Sequence, residues 1–377
     1  MHVGYTPEQE KLRAALREYF ADLMTPDLRA GLDGGGGEYG DGTAYRQIVR
    51  RLGRDGWLTI GGRSRLEQLI FADEAALAGV PVPFLTLYTV GPTIARHGTE
   101  QQRAELVPRI EAGEVHFSIG YSEPGAGTDL AALRTRAVRD GDSYVINGQK
   151  MWTSLIQYAD YVWLACRTDP DAPRHKGLSM LIVPTDAPGF SWTPVRTVAG
   201  PSTSATYYDD VRVPVSALVG AENQGWRLIT DQLNHERVAL TSAAPLQRAL
   251  REVRDWAVGT QKIDQEWVRL HLARVHAKTE ALKLFNWRAC VTDGTPAAPR
   301  ASAGKVYGTE LAIEAYRLLM EIIGPAATIR AGSPGAVLSG RIERMYRASL
   351  ILTFGGGANE VQRDIIAAGA LGLPIRR

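Results

Sequence analysis

Tyr121–Leu130 reads YSEPGAGTDL, and Asn147–Ser154 reads NGQKMWTS. The first segment closes a strand-like run, Phe117 to Tyr121, with a serine, a Glu-Pro pair and two glycines. Such residues stop a strand in a tight turn and leave backbone N–H groups exposed. The second segment sets an indole, Trp152, two residues before a hydroxyl, Ser154, and the alternation of side chains along a strand predicts both on one face. A flat aromatic wall beside a hydroxyl and free backbone donors suits a planar heteroaromatic ring with polar edges. A flavin has that shape.

Around these segments, from Val115 to about Gly220, the apolar period is two: VHFSIGY, LRTRAVRDGDSYVINGQ, YVWLACRT, GLSMLIVP, FSWTPV and TSATYYDDVRVP. These β-branched and aromatic runs, broken by Gly, Pro and Asp, predict a compact β-barrel or sandwich. On either side the period is helical. Thr6 caps a helix with Pro7 in its first turn, and EQEKLRAALREYFADLM follows at helical spacing. A loop, GLDGGGGEYGDG, interrupts, and helices resume through YRQIVRRLGRDGW and RLEQLIFADEAALAG. Long helical patterns return from Trp226 to Leu371, broken at DGTPAAPRASAG and GPAATIRAGSPG. The chain is therefore read as α+β, with helical residues 1–114, a β domain over 115–221 and helical residues 222–377, and no internal repeat.

Bulk composition excludes several classes. The 377 residues suit two or three packed lobes. Lys+Arg 43 against Asp+Glu 41 leaves no electrostatic footprint for nucleic acid. No apolar run approaches membrane-spanning length, and MHVGYTPEQEKLR lacks the apolar core of a signal peptide, so a cytoplasmic location is expected. Cys166 and Cys290 stand far apart, and the histidines form no metal-binding spacing, so no metal is expected. His97 and His116 read as core or surface histidines, and Arg341–Arg347 (RIERMYR) as a solvated helix face.

The two segments, in this order and at this separation, resemble the middle domain of the acyl-CoA dehydrogenases. The helical–β–helical succession extends the resemblance over the whole chain. It implies FAD, a carboxy-terminal four-helix bundle that also builds the subunit interface, and an acyl-CoA substrate. By resemblance Tyr121 and Ser122 contact the pyrimidine edge of the flavin, Trp152 packs on the isoalloxazine and Ser154 bonds its N5 edge. Thr128 lies near the pyrimidine edge or the pantetheine arm. The bland alternative is a β-hairpin whose tryptophan is only core. Family members also carry a WPxxYGG-type loop after the third helix. Here GWLTIG, Gly56 to Gly61, runs straight into GRSRLEQL, so either the loop is lacking or the sequence skips a piece.

The implied chemistry, α,β-desaturation of a thioester, needs a carboxylate for the α-proton while the flavin accepts the β-hydride. Many members keep that Glu in a turn near the carboxy terminus. Here the turn is FGGGANEVQRDII, and Gly356 stands in its place. A second family location is the first long helix of the carboxy-terminal lobe, where this chain reads QLNHERVAL. Glu236 is the implied base, on a helix face with Gln232 and Leu233 one turn before and Ala239 and Leu240 one turn on. Arg237 is the implied supporting residue. The alternative for the pair is an ordinary surface salt bridge.

Gly355, Gly356 and Gly357 let the backbone pass close to a ligand, and a helix through VQRDIIAA follows, which suits a pyrophosphate. By resemblance this region meets the FAD adenosine arm, with Glu360 and Gln362 as contacts; a ligand-free helix–helix turn is the alternative. Homotetrameric members hold FAD with an RxxFG segment, where this chain has Gly259-Thr260-Gln261. Either another residue substitutes for the missing arginine, or a different subunit supplies that half of the site. Several stretches, DQLNHERVAL and ILTFGGGANEVQRDII among them, look closely like the base-carrying subunit of actinobacterial steroid side-chain acyl-CoA dehydrogenases. Those are α2β2 heterotetramers acting on cholesterol-type CoA esters. Small residues Ala239, Ala243 and Ala244 would widen the mouth for a sterol, and electron-transferring flavoprotein is the expected acceptor. Two other readings stay open: a flavin-dependent monooxygenase on the same fold, and a non-catalytic subunit of a heteromeric dehydrogenase.

Overall fold

The computed structural model describes residues 4–33, 41–198, 200, 203–239, 241–291 and 297–374; the side chains of residues 33, 233–239, 291 and 297 lie outside that description. The first helices are α1 (Pro7–Leu23), α2 (Pro26–Asp33), α3 (Thr43–Arg54) and α4 (Arg65–Ala78). A π-helical turn, Leu85–Val90, leads into α5 (Gly91–His97), and α6 (Glu100–Glu111) follows. Their starts are written in the sequence. Thr6, Ser64 and Thr99 each form a reciprocal capping box with Gln9, Glu67 and Gln102. Leu16, Phe20, Ile48, Leu52 and Phe71 make the core they enclose. Between α3 and α4 the chain crosses directly through GWLTIGGRS, with Gly61 and Gly62 at positive φ.

The strands are β1 (Phe117–Gly120), β2 (Arg136–Asp140), β3 (Ser143–Lys150), β4 (Tyr161–Arg167), β5 (Leu178–Pro184), β6 (Phe190–Val195), β7 (Thr203–Pro214) and β8 (Leu218–Val219). Every predicted strand is present; β8, two residues long, carried no sequence signal. They connect in the order β6-β7-β3-β2-β4-β5-β8, with β1 parallel to β4. A single residue pair, Arg136 with Arg167, joins β2 to β4, so the path folds into two leaves. Ala137, Ile146, Leu164, Cys166, Leu181 and Val211 pack between them, which makes the domain a sandwich. On the outer face of β4, Trp163 and Ala165 pack with Val90 and Ile94 of the helical domain and with Leu228 and Ile229. Buried on both faces, β4 and β5 read as continuous apolar runs rather than alternating ones.

The remaining helices are α7 (Gly225–Ala239), α8 (Ala244–Gly259), α9 (Glu266–Val291), α10 (Ala297–Ile323), α11 (Arg341–Ser349) and α12 (Asn359–Leu371). α10 packs against α7, α8 and α9, as in the bundle the resemblance implied, and also against α12. Two expectations need correction. Ala243 and Ala244 are buried, Ala243 in the core with Leu246 and Leu272, so they fill helix packing and do not widen a mouth. The side chain of Ala239 lies outside the described residues. Nor is Arg341–Arg347 a free solvated face: Arg341 binds Glu252, and Arg347 binds Glu343 and the carbonyl of Val198. Among the described residues no helix is long and apolar enough to cross a membrane, and no group of His, Cys, Asp and Glu is placed to hold a metal.

Candidate active site

β1 runs beside β4 so closely that a Cβ on Gly120 would stand 2.9 Å from Val162. The chain then turns. Glu123 and Ala126 exchange backbone hydrogen bonds of 3.0 and 3.1 Å, and Gly125 and Gly127 face open space. Ser122 is half-buried and Thr128 exposed at the far end of the turn. The second segment docks on the first: Met151 N–H donates to Ser122 O at 2.8 Å, and Ser118 Oγ donates to Ser154 O at 2.9 Å. The backbones that carry Ser122, Trp152 and Ser154 are thereby docked on one another.

The second segment does not run on as the predicted strand. β3 stops at Lys150, and Trp152 sits in the left-handed region at φ 65°. Strand pleating therefore does not align Trp152 with Ser154. The anchor is Thr153 between them: it is fully buried, and its N–H donates to Ser204 O at 2.9 Å. Trp152 is left 54% exposed. A bulky residue at positive φ with an unburied indole is strain of the kind found where a ligand is clamped. Ser154 Oγ donates to Thr203 Oγ1 at 3.3 Å.

Sequence reading passed over the two residues that weld these segments. Lys150, fully buried, donates to Glu123 Oε1 at 2.8 Å and to Tyr121 O at 3.0 Å. The Glu123 carboxylate also accepts the N–H groups of Arg134 and Thr135, at 2.7 and 2.8 Å. Burial works to raise the Glu123 carboxyl, but the Lys150 charge and these hydrogen bonds outweigh it and hold it below the ordinary carboxylate range. Burial pulls the Lys150 ammonium down from its own range, against the Glu123 charge. The sequence shows one acid and one base, each inside a motif segment, with nothing local to mark them as a buried pair.

Tyr121 points away from the turn. Its hydroxyl donates to Gln232 of α7 in a buried contact. Glu236 and Arg237 fall on the same helix, Gly225–Ala239, as the pattern predicted, and their side chains lie outside the described residues. The glycine turn is where it was expected, directly before α12. Gly356 and Gly357 take φ of 67° and 99°, a conformation in which a glutamate would be strained. Lys305 of α10, buried, holds the turn through Gly357 O at 2.6 Å and Asn359 Oδ1 at 2.8 Å. Glu360 is exposed on the first turn of α12. Gln362 is fully buried: its Oε1 accepts from Ser302, and its Nε2 has no hydrogen-bond partner among the described residues. A Cβ on Gly357 would stand 2.6 Å from that nitrogen. Gly357→Ala is therefore expected to cost about 1–3 kcal/mol of stability, read as a lowered denaturation midpoint. The open glycines, the half-exposed indole and the unpartnered Nε2 beside a bare backbone fit a large planar cofactor with a polar tail.

His116 is a core histidine. Its ring is buried beside Tyr45, and burial pushes its pKa down to about 4.

Comparison with known proteins bears on the whole chain. It matches acyl-CoA dehydrogenase N-terminal domain over residues 6–114, middle domain over 118–211 and C-terminal domain over 223–371. It is 64% identical over 396 aligned positions to acyl-CoA dehydrogenase FadE26 of Mycobacterium tuberculosis (strain ATCC 25618 / H37Rv), covering 99% of each. Among solved structures it is similar to a chain of the ChsE4-ChsE5 complex from Mycobacterium tuberculosis, with 63% identity, full coverage of both chains and a TM-score of 0.93. It is also similar to a chain of the Tcur3481-Tcur3483 steroid ACAD, with 49% identity, full coverage and a TM-score of 0.93.

Proposed function

The chain belongs to the acyl-CoA dehydrogenase family and is an acyl-CoA dehydrogenase. On that premise we propose that it is the base-carrying subunit of a heteromer that desaturates the CoA thioester of a cholesterol-type side chain, with FAD as cofactor. The observation that carries the substrate class is likeness, over the full chain, to chains of two solved two-component complexes, one of them described as a steroid ACAD.

In this reading Glu236 takes the proton from the α-carbon, next to the thioester carbonyl that acidifies it, and Arg237 supports the developing charge. When bound, FAD supplies the acceptor for the hydride leaving the β-carbon. Trp152 would cover one face of the ring, Ser154 would meet its reactive edge, and Ser122 and Thr128 would line the pyrimidine side, while the Tyr121 side chain, expected there by resemblance, turns instead to Gln232 of α7. The glycine turn, Gly355 to Gly357, passes the backbone close to the polar arm. Glu360 and Gln362 flank that arm at the start of α12, where helix N–H groups favour phosphate. The same reading divides the chain at 114/115 and 221/222.

The second subunit follows from what this chain lacks. Gly259-Thr260-Gln261 closes α8 in a short turn with Gln261 at φ 59°, and it offers no arginine for a buried diphosphate. The chain purified alone is therefore expected to carry little flavin. Mixing with a second acyl-CoA dehydrogenase-like subunit is expected to restore one FAD spectrum per completed site. The reconstituted heteromer should then oxidise steroid side-chain CoA esters in preference to straight-chain acyl-CoA. A full flavin complement in the isolated chain would overturn the shared site, and preference for straight chains would overturn the sterol.

A further inference from the structure

Gln232 lies on α7 one helical turn before Glu236, where the three parts of the fold meet. Its side chain is 3% exposed. Oε1 accepts the Tyr121 hydroxyl and, at 3.3 Å, the Trp163 indole N–H; Nε2 donates to Thr93 Oγ1 at 2.9 Å. Thr93 in turn donates to Thr89 O at 2.7 Å, within the π-helical turn Leu85–Val90. Thr86 of that turn accepts the Phe117 N–H of β1 at 2.9 Å. One amide thus ties α7 to the residue where β1 enters the YSEPGAGT turn, to β4 and to the helical domain.

The chemistry of the contacts asks for an amide. Two donors converge on one oxygen, and an acceptor stands at the other end, because the Thr93 proton is already committed to Thr89. A carboxylate would face that hydroxyl oxygen with no hydrogen to give, and an apolar side chain would take away the acceptor that Tyr121 and Trp163 share. Leu228 and Ile229 pack α7 into the same seam, and a small pocket bounded by Tyr88, Thr93, Arg96 and Asp231 adjoins the amide. Hydrogen bonds are directional where that packing is not, so the polar contacts fix the rotation of α7 within it.

We propose that Gln232 is a positioning residue of the dehydrogenation: it sets the distance and rotation of the α7 turn that bears Glu236, relative to the strand end that bears Tyr121. This rests on the reading of Glu236 as base. A general base must stand within hydrogen-bond reach of the proton it takes, and a displacement of about 1 Å costs roughly a hundredfold.

The test uses the flavin-loaded heteromer. Gln232→Leu is expected to lower kcat by about 10- to 100-fold while flavin content stays that of the unaltered protein. KM is expected to move by less than about threefold, and the acid limb of the kcat–pH profile to shift, because the environment of the base has changed. Added to Glu236→Gln, the same substitution is expected to cost less than about twofold, since the group it positions is gone. An unaltered kcat and pH profile would overturn the proposal. So would equal losses in both backgrounds, or loss of flavin along with activity, which marks a scaffold residue. If Gln232→Leu does not assemble, Thr93→Val removes one arm with the shape kept, and it must show the same defect in kcat; no change there also overturns the role. The Glu236 reading fails separately, by Glu236→Gln alone retaining turnover.

Discussion

Glu236→Gln is expected to leave the flavin spectrum of the heteromer in place and to lower the rate at which substrate bleaches it by at least about 10³-fold, within the range a positioned general base supplies. The amide keeps the size and most of the polarity of the carboxylate, but it cannot take the α-proton. Proton removal and hydride departure belong to one desaturation, so both stop. Flavin binding should survive, because the residues assigned to the ring, Trp152, Ser154 and Ser122, are held by β3, β7 and the turn after β1 and not by α7. The measurement is anaerobic mixing with a steroid side-chain CoA ester, followed at the flavin band. Unchanged bleaching would move the base elsewhere, and the glycine turn is a poor refuge for it, since Gly356 has no carboxylate and a positive φ.

Lys150→Met carries the largest expected effect on stability. The ammonium is fully buried, and its removal leaves the Glu123 carboxylate with two backbone N–H partners and, among the described residues, no opposing charge in contact. Breaking one side of a buried pair costs about 3–5 kcal/mol. The loss should appear as a lower denaturation midpoint together with weakened flavin retention, because Lys150 also holds Tyr121 O. Pairing Lys150→Met with Glu123→Leu should recover part of the stability without recovering flavin, since the charge penalty is relieved while the turn stays untied. If the double variant is no more stable than the single, the pair is not the source of the cost. The pH dependence has a definite sign. The folded-state pKa of Glu123 is depressed, so its contribution is fully present above the unfolded value of about 4.3 and is lost as pH falls through the lower folded value. Acid should therefore release flavin and loosen the sandwich in one transition that Glu123→Gln displaces.

Much of the molecule was legible residue by residue. Capping boxes at Thr6, Ser64 and Thr99 and the switch from helical to two-residue period mark elements that depend on neighbours close in sequence. The two motif segments were legible for the same reason. Trp152 was misread as a strand residue because a positive φ outside glycine leaves no mark on the sequence. Ala243 and Ala244 looked like room for a ligand; small residues also mark close packing, and both are buried, Ala243 within the helical core. Glu123 and Lys150 stood in plain view, yet charged residues usually face solvent, and nothing local tells a buried pair from two surface charges.

The sequence by itself determined the helical–β–helical order, every strand but β8, the cofactor-type turn and the helix that carries Glu236, because each rests on periodicity or turn chemistry within about ten residues. Tertiary structure alone decided that Tyr121 faces Gln232 across 111 residues and that Thr93 faces it across 139. It also decided that Lys150 closes on Glu123, and that β2 and β4 meet at a single pair to fold the sheet into a sandwich. Buried polar groups take whichever partner the packing of distant elements brings within about 3 Å, and that choice is made by the whole core at once.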